Sequence, residues 1–276
     1  MPETGEIERT INLSSPIVAT AIHNGHHVRA ELAPLLAIPE SERLHEEDPF
    51  TSEFARVAPS WLIGERSRFE VDLNRPRDHA VYRGPDEAWG LDIWRDGPPD
   101  SVIKQSLAEY DEFYDSTRRL LERLLRKYER IVVLDLHSYN HRRGGPRAAP
   151  DDPALNPEVN VGTGSMNRAY WGRLVDRFIA DLHGYPYQGR HLDVRENVKF
   201  LGGHLCQWIH RMFPRRVCAI AVEFKKCFMD EWTGAPDRER LHELSAALRS
   251  TCPGLLDSLE EMHETSAPAG ARRSCS

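Results

Sequence analysis

The 276-residue sequence predicts a single α/β domain, three layers deep, with a central mixed and mostly parallel sheet between helices. Three observations predict it. The runs at 17–22, 131–136 and 217–222 are short, rich in β-branched and apolar residues and nearly uninterrupted, the pattern of strands buried on both faces. Segments with helical spacing of apolar residues lie between and after them. The length suits one large domain better than two small ones.

The elements follow in order. Residues 1–14 form a polar lead-in, and 15–22 is the first buried strand. Residues 31–60, mixing Pro, Glu and Ser, are expected to be helix and loop. Residues 69–73 alternate Phe-Glu-Val-Asp-Leu and predict a short strand ended by Pro76. A loop rich in Gly, Pro, Asp and Trp covers 84–100. The clearest helix spans about 101–129, with Ile103, Leu107, Tyr110, Tyr114, Leu121 and Leu124 on one face and Ser101 as its expected N-cap. The strand at 131–136 follows directly. Residues 141–164, punctuated by prolines, are expected to be loop, and 165–183 helix. A short extended run and a Gly-Gly turn occupy 194–203, and 204–213 is helical. The third buried strand, 217–222, ends at Glu223, and a final helix covers about 237–250. The domain is placed at 15–262, with a small, polar tail from 263 to 276 expected to be disordered.

Composition narrows the function classes. Forty-three acidic against thirty-six basic side chains give a net charge of −7, which argues against a nucleic-acid-binding surface. No stretch has the roughly 18 apolar residues of a membrane span. The start of the chain lacks the basic and apolar segments of a secretory signal, and the five cysteines form no close pair, so a cytoplasmic protein with reduced thiols is expected. Cys206 and Cys218 lie in apolar context and are expected in the core.

The first and second buried strands each deliver histidine at their C-terminal end. His23-Asn24-Gly25-His26-His27 follows the first, and His137 closes the second. In open α/β sheets that edge is where ligands bind. Any one of these residues alone reads as a solvated loop histidine or a satisfied buried donor. Gathered at one edge, His23, His26 and His137 point to one Zn2+ ion, because three protein ligands leave the fourth position of a catalytic site open. Asn24-Gly25 supplies the tight turn that would let two imidazoles converge.

Carboxylates and cations surround these histidines in the sequence. Asp72 and Asp135 are candidates to orient the rings by accepting their second N–H; Asp135 shares a strand face with His137. Each also reads as a turn-former or an ordinary buried acceptor. Glu223, at the end of the third strand, is the candidate general base, against its reading as the first charge of a solvated loop beside Lys225 and Lys226. Arg75 and Arg68 suit capture of a substrate carboxylate, or ordinary surface ion pairing. Arg142-Arg143 is a solvated basic loop or a flap. Gly202-Gly203-His204 could bring backbone N–H groups or His204 towards substrate.

These pieces together resemble the N-formylglutamate amidohydrolase family, within the zinc carboxypeptidase-like hydrolases. The resemblance rests on His23-Asn24-Gly25-His26, Val71-Asp72-Leu73-Asn74-Arg75, Leu134-Asp135-Leu136-His137-Ser138-Tyr139, Phe200-Leu201-Gly202-Gly203-His204 and Ala221-Val222-Glu223, spread over about residues 15–235. It implies a zinc carboxypeptidase-like fold, zinc on His23, His26 and His137, and Asp72 behind His23. It also implies a substrate carboxylate on Asn74 and Arg75, and Glu223 as base and then acid. The implied reaction is hydrolysis of a small N-acyl acidic amino acid, N-formyl-L-glutamate foremost, with no nucleic-acid or membrane partner. A carboxypeptidase, a deacylase of another specificity and a non-catalytic metabolite-binding protein are the alternatives. Two positions depart from the pattern. His26 stands where carboxypeptidases carry glutamate, which keeps His27 and Glu31 as alternative ligands, and His204 stands where amidohydrolases of this type carry an aromatic residue.

Overall fold

The three apolar runs lie side by side at the centre of one seven-stranded sheet. The computed structural model describes residues 7–266. In chain order the elements are β1 (Glu8–Thr10), β2 (Ile17–Ala21), α1 (Glu40–Glu46), α2 (Thr51–Ala55), β3 (Ser60–Ile63), α3 (Asp100–Leu125), β4 (Ile131–Tyr139) and β5 (Val159–Gly162). They continue with α4 (Arg168–Gly184), β6 (Pro186–Tyr187), β7 (Arg190–His191), β8 (Val194–Glu196), α5 (His204–Met212), β9 (Val217–Lys225), α6 (Arg238–Ser250) and α7 (Cys252–Ser266). The sheet order is β1-β3-β2-β4-β9-β5-β8, and β6 pairs with β7 apart from it. The pairs β3–β2, β2–β4, β4–β9 and β5–β8 are parallel, while β1–β3 and β9–β5 are antiparallel. The sheet is therefore mixed and mostly parallel, as the sequence predicts.

Alternate residues of the central strands feed two cores. Ile17, Ala19, Val132, Leu134, Cys218 and Ile220 pack under α2, α4, α6 and α7. Val18, Ile131, Val133, Val217 and Ala219 pack on the other side under α3 and α5. Both faces are covered, which is why these strands read as unbroken apolar runs. Cys206 and Cys218 are buried, one on each side.

Several local expectations are corrected. Residues 69–73 are not a strand: Glu70 N and Val71 N both turn back to Ser67 O. Their alternation reflects burial in two different places, Phe69 in a small core under the 80–103 segment and Val71 and Leu73 beneath α3. The long helix starts at Asp100 after Pro99, so Ser101 lies inside it and caps nothing. Strand β5 stands where loop is expected and β3 where the sequence suggests no element just beyond residue 60; each is only four residues long and recognisable only by its neighbours in the sheet. The lead-in contributes β1, and α7 carries the chain helically to Ser266. The remainder of the expected tail lies outside the described residues. No described helix is long and apolar enough to cross a membrane.

Candidate active site

The C-terminal ends of the parallel strands β2, β4 and β9 converge on one cleft of about 270 Å³. His23 arrives two residues past β2, while His137 and Glu223 lie within β4 and β9 and face each other across the parallel ladder. Alternation puts Asp135 and His137 on one face of β4 and Ala221 and Glu223 on the matching face of β9.

His23 and His137 sit with ring centroids 5.0 Å apart. Between them stands a residue that sequence reasoning missed. Asp48 Oδ2 lies 3.0 Å from His137 Nδ1 and 3.5 Å from His23 Nδ1. All three side chains are buried, and their ligand atoms lie within 4.8 Å of one another. Two ligands of one tetrahedral ion with bonds near 2 Å stand roughly 3.3 Å apart, so this spacing fits a single metal ion. Two imidazoles and one carboxylate are also a donor set of catalytic metal sites.

Asp48 reaches this position because the α1–α2 connection is tied down over the strand ends. Its N–H donates to His23 O at 2.9 Å, and its carbonyl accepts from Thr51 Oγ1 at 2.7 Å. The buried Lys226, just past β9, donates from Nζ to His45 O and Glu47 O at 2.6 and 2.7 Å. Burial lowers that lysine to about 8.

Each imidazole is held from behind by another buried carboxylate. His23 Nε2 lies 2.7 Å from Asp72 Oδ1, and His137 Nε2 lies 3.2 Å from Asp135 Oδ2. With Nε2 donating, Nδ1 is left to face Asp48. Asp72 is itself fixed by Arg68 Nη2 at 2.8 Å, the Tyr82 hydroxyl and Asn74 N; Asp135 is fixed by Thr20 Oγ1 at 2.7 Å. These are the orienting contacts that metal-binding histidines characteristically make.

The electrostatics follow from burial and these pairings. Burial pushes Asp72, Asp135 and Asp48 up, but their partners prevail: the Arg68 charge and then His23 at Asp72, His137 at Asp135, and hydrogen bonds from His137 and His23 at Asp48. All three are held below the usual carboxylate range. Burial pushes His137 down, yet Asp135 and Glu223 raise it well above the ordinary imidazole value. Glu223 goes the other way: burial, helped by Asp48 and Asp135, pushes it up to about 7. A carboxyl poised near neutrality can accept and return a proton.

His26 does not join the cluster. Its Nδ1 is hydrogen-bonded to Glu47, and its Nε2 lies 3.3 Å from Glu40, so the ring turns towards α1. The Glu47 hydrogen bond raises its pKa against the lowering effect of burial. His27 pairs through its backbone with Arg66, and Glu31 lies 3.9 Å from Arg29; neither belongs to the cluster. Gly25 has a separate reason to be glycine, since a Cβ there would stand 2.1 Å from the Glu65 backbone.

Among the residues expected to hold substrate, Arg68, Asn74 and Gly203 line the cleft. Gly203 lies so close to Asn74 that a Cβ would stand 2.2 Å from its amide. Arg75 and His204 stand behind this wall. The Arg75 guanidinium lies 4.6 Å from the Tyr82 ring centre and 3.6 Å from Asp72, and His204 packs edge-on to Tyr114. Arg143, from the 141–158 connection, closes one side of the cleft by pairing with Glu46 at 3.0 and 3.1 Å.

A family model described as N-formylglutamate amidohydrolase matches residues 15–229. The chain belongs to this family. The match begins just before β2 and ends after β9, so it contains every side chain of the triad together with Asp72, Asp135 and Glu223. Among solved structures, the N-formylglutamate amidohydrolase of Ralstonia eutropha JMP134 superposes with a TM-score of 0.72 at 16% identity, covering 95% of this chain and 99% of its own. A gene product of Agrobacterium tumefaciens superposes with a TM-score of 0.66 at 15% identity, covering 93% and 96%. At these identities the likeness is one of fold. No curated protein matches the sequence.

Proposed function

We propose that this chain hydrolyses the amide bond of a small N-acyl acidic amino acid, with N-formyl-L-glutamate as the first substrate to test. The observation that carries the proposal is the placement of Glu223. It is a buried carboxyl with its pKa near 7, directly opposite His137 and lining the same cleft as the His23–Asp48–His137 triad. The family supplies the reaction class.

His23 Nδ1, His137 Nδ1 and Asp48 would hold one divalent cation, and zinc suits two imidazoles and a carboxylate. When bound, such an ion polarises a carbonyl and brings the pKa of water to about 7. Glu223 takes the proton of the attacking water and gives it to the leaving nitrogen. Asp72 and Asp135 keep both rings in the tautomer that turns Nδ1 to the centre. Arg68, whose Nη2 donates to Asp72 and Nη1 to Glu46 O while its buried Nε–H has no partner, and Asn74 receive the substrate carboxylate and so fix the amide beside Glu223. Arg75 and His204 act from behind that wall, and Gly203 lets it approach. A cleft of about 270 Å³ lies just below the usual span of small-molecule pockets, roughly 300–1,000 Å³, and suits a single modified amino acid. A cytoplasmic setting agrees with the free thiols of Cys206, Cys218, Cys227 and Cys252.

The test is glutamate release from N-formyl-L-glutamate by zinc-loaded protein, beside a chelator-treated control. Turnover abolished by chelation is expected. A protein that holds one zinc per chain and releases no amino acid from any N-acyl glutamate would overturn the proposal.

A further inference from the structure

Six large apolar side chains are exposed among the described residues, and three of them, Trp89, Phe200 and Leu201, line this one cleft. Their exposures are 57%, 36% and 61%, whereas the histidines and carboxylates of the centre are buried. The cleft therefore has a charged floor, and its rim carries these three apolar side chains beside the Arg143–Glu46 pair. Large apolar side chains left exposed on the lining of a polar cleft suit the apolar part of a ligand.

Both walls of the mouth are held in place. Trp89 has a left-handed backbone, φ 55°, followed by Gly90 at φ 89°. A bulky residue is uncommon there and persists where its surroundings dictate it, often at a ligand site. The ring is presented edge-on to Tyr82 at 6.0 Å and lies over the Arg68 guanidinium at 4.9 Å. On the other wall, the buried Asn160 fixes the approach to Phe200. Its Oδ1 accepts from Val198 N and Lys199 N, and its Nδ2 donates to Phe200 O at 2.8 Å. Leu201 O in turn accepts from Gly164 N at 2.7 Å. Neither wall is a loose surface loop that happens to expose an apolar side chain.

We infer that the mouth is an acyl subsite: Trp89 on one side and Phe200 with Leu201 on the other take an aliphatic or aromatic acyl group larger than formyl. The inference rests on the hydrolase reading above. In this reading the carboxylate sits at Arg68 and Asn74 and the amide at Glu223, the acyl substituent is directed outward, and Trp89 reaches it from the Arg68 guanidinium that its ring covers. A formyl group offers only a hydrogen atom there and leaves both walls wet. An acidic side chain gains nothing from apolar walls.

The experiment compares kcat/KM for N-formyl-, N-acetyl-, N-butyryl- and N-hexanoyl-L-glutamate on the zinc-loaded enzyme. Each buried methylene is worth about threefold to fourfold, so the hexanoyl compound should exceed the acetyl compound by at least tenfold. Trp89→Ala and Leu201→Ala should each lower the hexanoyl-to-formyl ratio several-fold; taking the ratio within each variant cancels general losses. Calorimetry of the same ligands on the Glu223→Gln protein should show affinity rising with chain length and an increasingly negative heat-capacity change. Hydrolysis of the formyl compound with no gain along the series overturns the acyl subsite and leaves the hydrolase reading intact. A gain that neither substitution reduces overturns the assignment to these walls. No release from any of the four by zinc-bound protein overturns both.

Discussion

His137 and Glu223 are directly paired residues of two adjacent parallel strands, one offering its Nδ1 to Asp48 and the other lining the same cleft with its carboxyl pushed up to about 7. The ladder between β4 and β9 fixes their separation, so the proton-handling group and a candidate ligand are aligned by backbone hydrogen bonds rather than by a flexible loop. Replacing Glu223 with Gln keeps the shape and removes the proton acceptor. Turnover should fall by at least ~10²-fold, the usual contribution of a positioned acid–base group, while bound zinc stays near one per chain. Metal analysis alongside initial rates checks this, and substantial retained activity would sink the role of Glu223.

Asp48, rather than His26, is the third member of the cluster, and the two can be separated by substitution. Asp48→Asn should weaken zinc binding by more than ~10-fold, because it removes the anionic ligand from between two imidazoles. Asp72→Asn, which disturbs His23 only from behind, should cost about 10- to 100-fold in metal affinity or activity. His26→Ala should leave affinity within a fewfold of the parent, since that ring is committed to Glu47 and Glu40. Competition titration with a chromophoric chelator measures all three. A loss in His26→Ala equal to that in Asp48→Asn would restore the all-histidine ligand set.

The difference between His26 and Asp48 shows where sequence information stops. His23, His137 and Glu223 are legible because each ends or interrupts an apolar run, and strand period alone sends Asp135 to the face of His137. The same runs identify the centre of the sheet. Asp48 carries no such signal: it ends the acidic stretch Glu46-Glu47-Asp48 between two short helices, 25 residues from His23, and reads as solvated charge. Its burial depends on contacts from far along the chain, chiefly His137 and the Lys226 tether that holds its turn. The His-Asn-Gly-His spacing suggests a convergent pair, but Gly25 serves the close approach of the Glu65 backbone, and the turn it permits sends His26 towards α1. Strands β3 and β5 fail to declare themselves for a related reason, being short segments defined by non-local pairing.

Metal binding should release protons and weaken as pH falls. In the metal-free site His137 is held well above the ordinary imidazole value and Glu223 near 7. The shift favours the protonated imidazole of His137, which must lose its proton to become a ligand. A nearby cation also draws Glu223 towards its ionised form. Zinc loading near neutral pH should thus release protons, and Glu223→Gln should lower the number released. Apparent affinity should rise with pH through the neutral range and level off above it. Calorimetry in buffers of different ionisation enthalpy counts the protons, and pH-independent binding between 6 and 8 would refute the assignment.

The Glu46–Arg143 pair at the edge of the cleft predicts a component of acid stability. Burial raises the Glu46 carboxyl, but hydrogen bonds from His45 and Arg143 outweigh it and lower the group to about 2, against an ordinary glutamate value of 4.5. A carboxyl depressed in the folded state contributes stability that is fully present above about 4.5 and is lost as pH falls towards 2. At 1.36 kcal/mol per unit the contribution is at most about 3 kcal/mol. The share due to the half-exposed Arg143 is smaller, about 1 kcal/mol after solvent screening. Arg143→Ala should therefore lower unfolding stability by about 1 kcal/mol at pH 7 and by progressively less below pH 4, as protonation of Glu46 removes the pair in the parent as well. Urea denaturation at pH 7, 4 and 3 measures the difference. Parent and variant curves separated by the same amount at every pH would show that the arginine stabilises the fold by some route other than holding Glu46 ionised.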